Sequence, residues 1–191
     1  MQSYSKKRER KASPTKFGTG LRILTVRARP GVPSQGLLNT CGSVFRCALG
    51  RGGISSGKRE GDGATPLGAM RLLGGYLRRR GFQRRSKLSL APITPELGWC
   101  EVPDDRNYNR PVKIPYPASH ESMLRADDLY DACIVLDWNI RPRRRGGGSA
   151  IFFHLARPDF TPTQGCVAVS RGVMARLLPL LSRRTVLVVR R

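Results

Sequence analysis

Glycine and proline break this chain so often that it can carry little long helix: 21 Gly and 14 Pro fall among its 191 residues. Both residues disfavour a helix interior, proline by about 3 kcal/mol and glycine by about 1 kcal/mol relative to alanine. With 39% hydrophobic residues, a chain so punctuated is expected to form a turn-rich, strand-dominated globule. Its length suits one domain with a proper core. Residues 21–27 alternate partly and read as the first strand, residues 30–36 as a turn, and residues 43–49 as a strand paired with the first. Residues 69–78 read as a strand and turn, because Gly74 and Gly75 argue against a helix. Residues 133–139 and 150–153 read as strands, the second delivering His154 at its end. Ser170 can cap a helix with Val173, Met174, Leu177, Leu178 and Leu181 on one face, a core stripe. Residues 185–189 close the sheet.

The remaining segments read as loops. Residues 50–68 hold seven glycines but lack the Gly-Lys-Ser/Thr of a phosphate loop, so a structural loop beside the active site is expected. Residues 93–116, rich in Pro, Asn and Asp, read as a long loop carrying substrate contacts. Residues 141–148 read as a mobile cationic turn, and residues 1–20 as a disordered basic tail before a single domain over 21–191.

The formal net charge of +22 raises the question of nucleic acid. The charge is spread in patches, aromatic residues are only 7%, and no nucleic-acid motif is present. A solvated surface suited to anionic surroundings is the expectation, with no nucleic-acid partner. The five cysteines at 41, 47, 100, 133 and 166 form no CxxC pair, so no zinc site is expected; chemistry carried by a thiol and an imidazole needs no metal or organic cofactor. No apolar run is long enough to span a membrane, and residues 1–20 lack the apolar centre of a signal peptide.

Chemistry concentrates between His154 and Val167. Cys166 follows Gly165 at the head of an apolar run, and His154 ends an earlier one. A cysteine nucleophile needs a base to make thiolate, and glycine lets backbone approach closely. The set His154, Thr163, Gln164, Gly165, Cys166 and Val167 resembles the catalytic signature of the YkuD-type L,D-transpeptidases. The resemblance extends to Gly57–Gly68 with its Thr-Pro-x-Gly ending, to Leu97-Gly98-Trp99-Cys100, to Arg106–Arg110 and to Tyr116–Glu121. Together these look like a short, single-domain proteobacterial branch of that family. Leu155 and Ala168 stand where the family often has Gly and Arg.

The resemblance implies a mainly β, sandwich- or barrel-like fold with a C-terminal helix and long loops over the site. It implies cross-linking of peptidoglycan stem peptides through a thioester on Cys166, with His154 as base and Gly165 beside the oxyanion, in the periplasm or cell envelope. The link would be of the 1,3 or 3,3 type; hydrolysis of the same bond and a non-catalytic wall- or polyanion-binding module are the alternatives. Arg157 fits a substrate carboxylate or a salt bridge to Asp159. Thr163 fits a brace for the cysteine loop, and Gln164 the donor side. Tyr108 and Asn109 are placed on the acceptor side. His120 is read as a bracing histidine, Glu60 and Asp62 as loop residues, and the protein as a monomer.

Overall fold

The computed structural model describes residues 20–78, 82 and 86–191, so the expected basic tail lies outside the described residues except for Gly20. Strand β1 (Ile23–Arg29) turns through Pro30 and Gly31 into β2 (Val32–Thr40), and Cys41-Gly42 turns it again into β3 (Ser43–Ala48). The glycine-rich stretch contributes only β4 (Ile54–Ser55) and β5 (Thr65–Pro66), paired in parallel. Next come β6 (Gly68–Leu77), β7 (Leu90–Pro92), β8 (Leu97–Cys100), β9 (Arg110–Lys113) and β10 (His120–Ser122). The apolar strands β11 (Ala132–Leu136), β12 (Phe152–Leu155) and β13 (Val167–Val169) follow. Helix α1 (Arg171–Leu177) runs into a 3-10 turn at Leu178–Leu180 before β14 (Val186–Arg190).

The main sheet has the order β11-β12-β13-β3-β2-β1-β14-β6-β7, and β6 also pairs with β11, which closes it into a barrel-like ring. Closure depends on β6 changing partner midway: Gly68–Arg71 pair with β14, and Leu72–Leu77 with β11. Gly75 makes the second pairing possible, because a Cβ there would lie 2.1 Å from the Cys133 carbonyl oxygen. The expected strand and turn over 69–78 is therefore one continuous strand.

Period-two alternation divides the side chains of β11 to β13 between two cores. Ile134, Leu136, Phe153, Leu155, Val167 and Val169 join Leu24, Val26, Leu38, Met70 and Leu187 in the larger one. Met174, Leu177, Leu178 and Leu181 pack into it too, as the helical stripe predicts, and the Ser170 hydroxyl accepts from the Val173 N–H at 3.4 Å. Each such fully buried side chain stabilises the fold by about 1.5–3 kcal/mol. Cys133, Val135, Phe152 and Cys166 face the other way, against Trp99, Met123 and Tyr130. That second core lies between the barrel wall and a small sheet of order β10-β8-β9.

Three expectations are corrected. The turn at 30–36 is confined to Pro30-Gly31; β2 begins at Val32 and intervenes between β1 and β3, its Leu38 fully buried. The long loop at 93–116 contains β8 and β9, which bury Trp99, Cys100 and Val112; strands of four residues flanked by Pro and Asp show too little periodicity to read. The cationic turn at 141–148 is pinned. The Asn139 amide donates to the carbonyls of Arg144 and Gly148, both at 2.9 Å, and the Trp138 indole to that of Gly147 at 2.9 Å.

Candidate active site

Strands β12 and β13 run parallel with His154 opposite Ala168, which places Cys166 opposite Phe152 by extension. In-register parallel neighbours share a face, and so do residues two apart on one strand. His154 and Cys166 therefore project from the same face of adjacent strands. They line one cleft of about 270 Å³, together with Glu60, Glu121, Tyr130, Arg157 and Gln164 among others.

The surroundings of Cys166 and His154 favour the neutral form of each. The Cys166 thiol donates to the Ala150 carbonyl at 3.1 Å and accepts from the Phe152 N–H at 3.3 Å. Burial pushes its pKa up to about 12, against the opposing pull of the Phe152 N–H and of the Lys58 and Arg125 charges. Burial likewise pushes the His154 imidazole down to about 4. His154 Nδ1 lies 2.8 Å from the Leu155 carbonyl oxygen, an acceptor only, so Nδ1 carries the proton and Nε2 is the basic nitrogen. Of the two resting states open to such a pair, this environment favours thiol and imidazole over thiolate and imidazolium.

The loop before Cys166 is tied from within and from outside. The Thr163 hydroxyl donates to the Cys166 carbonyl at 2.7 Å and accepts from the Gly165 N–H at 3.2 Å. Its backbone N–H bonds the Leu49 carbonyl at 2.8 Å, and its carbonyl accepts from Arg51 N–H at 2.9 Å. Gly165 has φ of +131°, and a Cβ there would meet the Ala64 carbonyl oxygen at 2.8 Å. The glycine thus permits close approach of Ala64, next to the Thr65-Pro66 segment. Gln164 is exposed on the rim.

Other expected contacts lie elsewhere. Arg157 pairs with Asp127 at 3.2 Å rather than Asp159, and its side chain remains half exposed at the cleft. Tyr108 and Asn109 are only 2% exposed and sit behind the cleft, a correction to their acceptor-side placement. The Tyr108 hydroxyl bonds Glu60, which does line the cleft. The Asn109 side chain accepts from Trp99 Nε1 and from the Ala150 N–H, both at 3.0 Å, and donates to the carbonyls of Trp138 and Asn139 at 3.2 and 3.0 Å. Asn109 therefore fixes the residue whose carbonyl holds the thiol. Polar residues in a Pro/Asn-rich stretch read as exposed, which is why burial was not foreseen. His120 braces its own loop through Nδ1 and the Ala118 carbonyl at 2.8 Å. Asp62 ties down the glycine-rich segment by pairing with Lys58 at 2.5 Å.

A group of residues without a clear sequence signal stands beside His154. The Tyr130 ring meets the imidazole edge to face at 5.1 Å, and its hydroxyl donates to Glu121 at 2.8 Å. Arg125 bonds Glu121 at 3.0 Å and clasps Asp127 with two further bonds at 2.8 and 2.7 Å. Burial raises the Glu121 pKa, whereas the Arg125 guanidinium holds Asp127 down at about 2. Only the Tyr-Pro-Ala-Ser-His-Glu run hinted at Glu121, and nothing hinted at Tyr130.

The model of the YkuD family, the L,D-transpeptidase catalytic domain, matches residues 40–189. The chain belongs to this family. The match takes in every strand from β3 to β13 and both residues that meet in the cleft. No curated protein and no solved structure matches the chain. YkuD domains act on peptidoglycan peptides, and the barrel-like sheet with one short C-terminal helix is the β-fold expected of such a domain. Among the described residues of this L,D-transpeptidase domain, no helix is long and apolar enough to cross a membrane.

Proposed function

We propose that the protein is a cysteine-dependent L,D-transpeptidase that cross-links peptidoglycan stems through a thioester on Cys166. The observation that carries this reading is the projection of His154 and Cys166 from one face of adjacent parallel strands into a shared cleft. His154 Nε2 takes the thiol proton as the sulfur leaves its bond to Ala150 and attacks the carbonyl of an L-centre in the donor stem. The resulting oxyanion is held by the backbone N–H of Cys166; the Gly165 N–H is already engaged by Thr163. A donor of this kind is worth about 3–4 kcal/mol at a developing oxyanion. Collapse expels the following D-residue as an amine, which receives the proton from His154. The amine of a second stem then attacks the thioester, loses its proton to His154, and returns the thiol.

Arg157, with a guanidinium only partly satisfied by Asp127, binds a stem carboxylate at the cleft mouth. Gln164, exposed at the cleft, contacts the donor. In this reading residues 21–191 form one catalytic unit that works as a monomer in the cell envelope, preceded by a basic tail over 1–20.

Mass spectrometry of products from a defined stem tetrapeptide, with wild type and Cys166→Ala, tests the proposal. Dimers that vanish in the variant are expected, and their fragmentation distinguishes 1,3 from 3,3 links. Shortened stems without dimers would replace transfer by hydrolysis. Absence of any Cys166-dependent product would replace catalysis by wall or polyanion binding.

A further inference from the structure

A second depression lies behind the wall of the cleft. Ser56, Lys58, Arg59, Trp138, Arg141 and Arg144 are among its lining residues, around a volume of about 480 Å³. Among the described residues, no carboxylate lines it. The Lys58 charge is internally compensated, with Nζ bonded to Asp62 at 2.5 Å and to the Arg59 carbonyl at 2.6 Å and its side chain 2% exposed. The guanidinium groups of Arg59, Arg141 and Arg144 pair with no carboxylate among the described residues. Three uncompensated cations thus converge on one concavity.

The backbone that presents them is rigidly tied. Asn139 holds the Arg144 peptide from both sides, accepting from its N–H at 2.8 Å and donating to its carbonyl at 2.9 Å. The Arg143 side chain points back into the protein, onto the carbonyls of Tyr108 and Arg106 at 2.8 and 3.2 Å, and Arg145 meets Asp104 at 3.3 Å. Of the three consecutive arginines, Arg144 lines the depression and its guanidinium pairs with no carboxylate among the described residues. Chain segments 57–61 and 147–150 form a partition: Lys58, Arg59 and Gly147 line the depression, while Glu60, Gly61, Ser149 and Ala150 line the catalytic cleft. Across it, the Glu60 N–H bonds the Gly146 carbonyl at 2.8 Å.

We infer that this depression anchors a carboxylate of polymeric peptidoglycan, from a stem other than the one in the cleft, an inference that rests on the L,D-transpeptidase reading. Guanidinium groups match carboxylates in geometry and charge. A shared partition lets one polymer occupy both depressions, and a preordered backbone spares the ordering that a mobile arginine loop would require on binding. The anchor adds affinity for the polymer by holding a second point on it, without touching the reacting atoms.

The test is co-sedimentation of the full chain with purified sacculi at about 0.15 M ionic strength, where charges beyond about 8 Å are screened. The variants are Arg141→Ala/Arg144→Ala and, as a charge-matched control on the far depression lined by Lys87, Arg183 and Arg184, Arg183→Ala/Arg184→Ala. The first is expected to weaken binding by about fivefold or more and the second by less than about twofold. Amidating the sacculus carboxylates should remove that difference. Equal losses in both variants, which mark diffuse attraction to a +22 chain, or no loss in either, overturn the inference. So does displacement of wild type from sacculi by millimolar inorganic phosphate or by phosphatidylglycerol vesicles, which would make it a phosphate site. The Cys166-dependent dimer assay on the soluble tetrapeptide is run in parallel. Loss of dimers with the binding pattern intact rejects the catalytic reading alone; dimers with no binding difference reject the anchor alone.

Discussion

The Tyr130 ring packs T-shaped against the His154 imidazole, with ring centroids 5.1 Å apart and planes at 79°. Because the Tyr130 hydroxyl is tethered to Glu121, and Glu121 to Arg125, the ring is held in place through its hydroxyl. Such a pair is worth about 0.5–1.5 kcal/mol beyond area burial. Tyr130→Leu is expected to lower kcat at least tenfold with KM little changed, by freeing the imidazole to tilt. Tyr130→Phe keeps the ring and should retain kcat within about threefold. Steady-state kinetics on a soluble stem peptide separates the two, and equal losses in both variants would assign the effect to the hydroxyl.

Gly165→Ala should damage both fold and activity. The added methyl meets the Ala64 carbonyl oxygen at 2.8 Å, in a backbone conformation with φ of +131° that L-residues rarely adopt. Strain and overlap together are expected to remove roughly 2–4 kcal/mol of stability. Chemical denaturation measures that loss. A variant as stable as wild type would show that the Cys166 turn can relax away from the glycine-rich segment.

That His154 and Cys166 share a cleft was legible because their order and spacing, with a glycine before the cysteine, resemble the YkuD signature. The apolar strands β11, β12 and β14 and the capped helix were legible because their burial is continuous or periodic along the chain. Glu121, Tyr130 and Arg125 are ordinary residues in a loop-rich stretch, and only the fold brings them to His154. Barrel closure was equally hidden, because the change of partner along β6 depends on Gly75 approaching Cys133 from a distant strand. Asn109 shows the same limit from the opposite side. Its expected place is the acceptor side, yet it is 2% exposed and its side chain makes four internal hydrogen bonds.

The buried imidazole makes stability depend on pH in a defined window. His154 titrates near 4 in the folded protein and near its usual 6.5 when unfolded. Between these values the unfolded chain binds the extra proton, so stability is fully present above about 6.5 and lost as pH falls through about 4. Asp127 contributes a loss of the same sign lower down, from 3.8 towards about 2, whereas the raised Glu121 acts in the opposite sense as pH rises above 4.5. Subtracting the stability profile of His154→Gln from that of wild type isolates the histidine. The difference should slope between pH 6.5 and 4; a flat difference would mean that the imidazole is protonated in the folded state.

The resting state of the nucleophile is open to direct measurement. Cys166 is pushed up to about 12 by burial and donates to the Ala150 carbonyl, so the free protein should hold almost no thiolate at neutral pH. Thiolate absorbs near 240 nm whereas thiol does not, so the wild-type minus Cys166→Ala difference spectrum should be flat at pH 7 and rise only in strongly alkaline solution. Alkylation by iodoacetamide should follow the same curve, since the thiolate is the attacking species. Asn109→Ala adds an internal check, because it releases the Ala150 N–H that Asn109 holds at 3.0 Å and loosens the carbonyl that binds the thiol. Alkylation at neutral pH should then rise several-fold while the yield of cross-linked product falls. A thiolate signal already present in wild type below pH 7 would instead establish a resting ion pair with His154 and make proton transfer precede substrate binding.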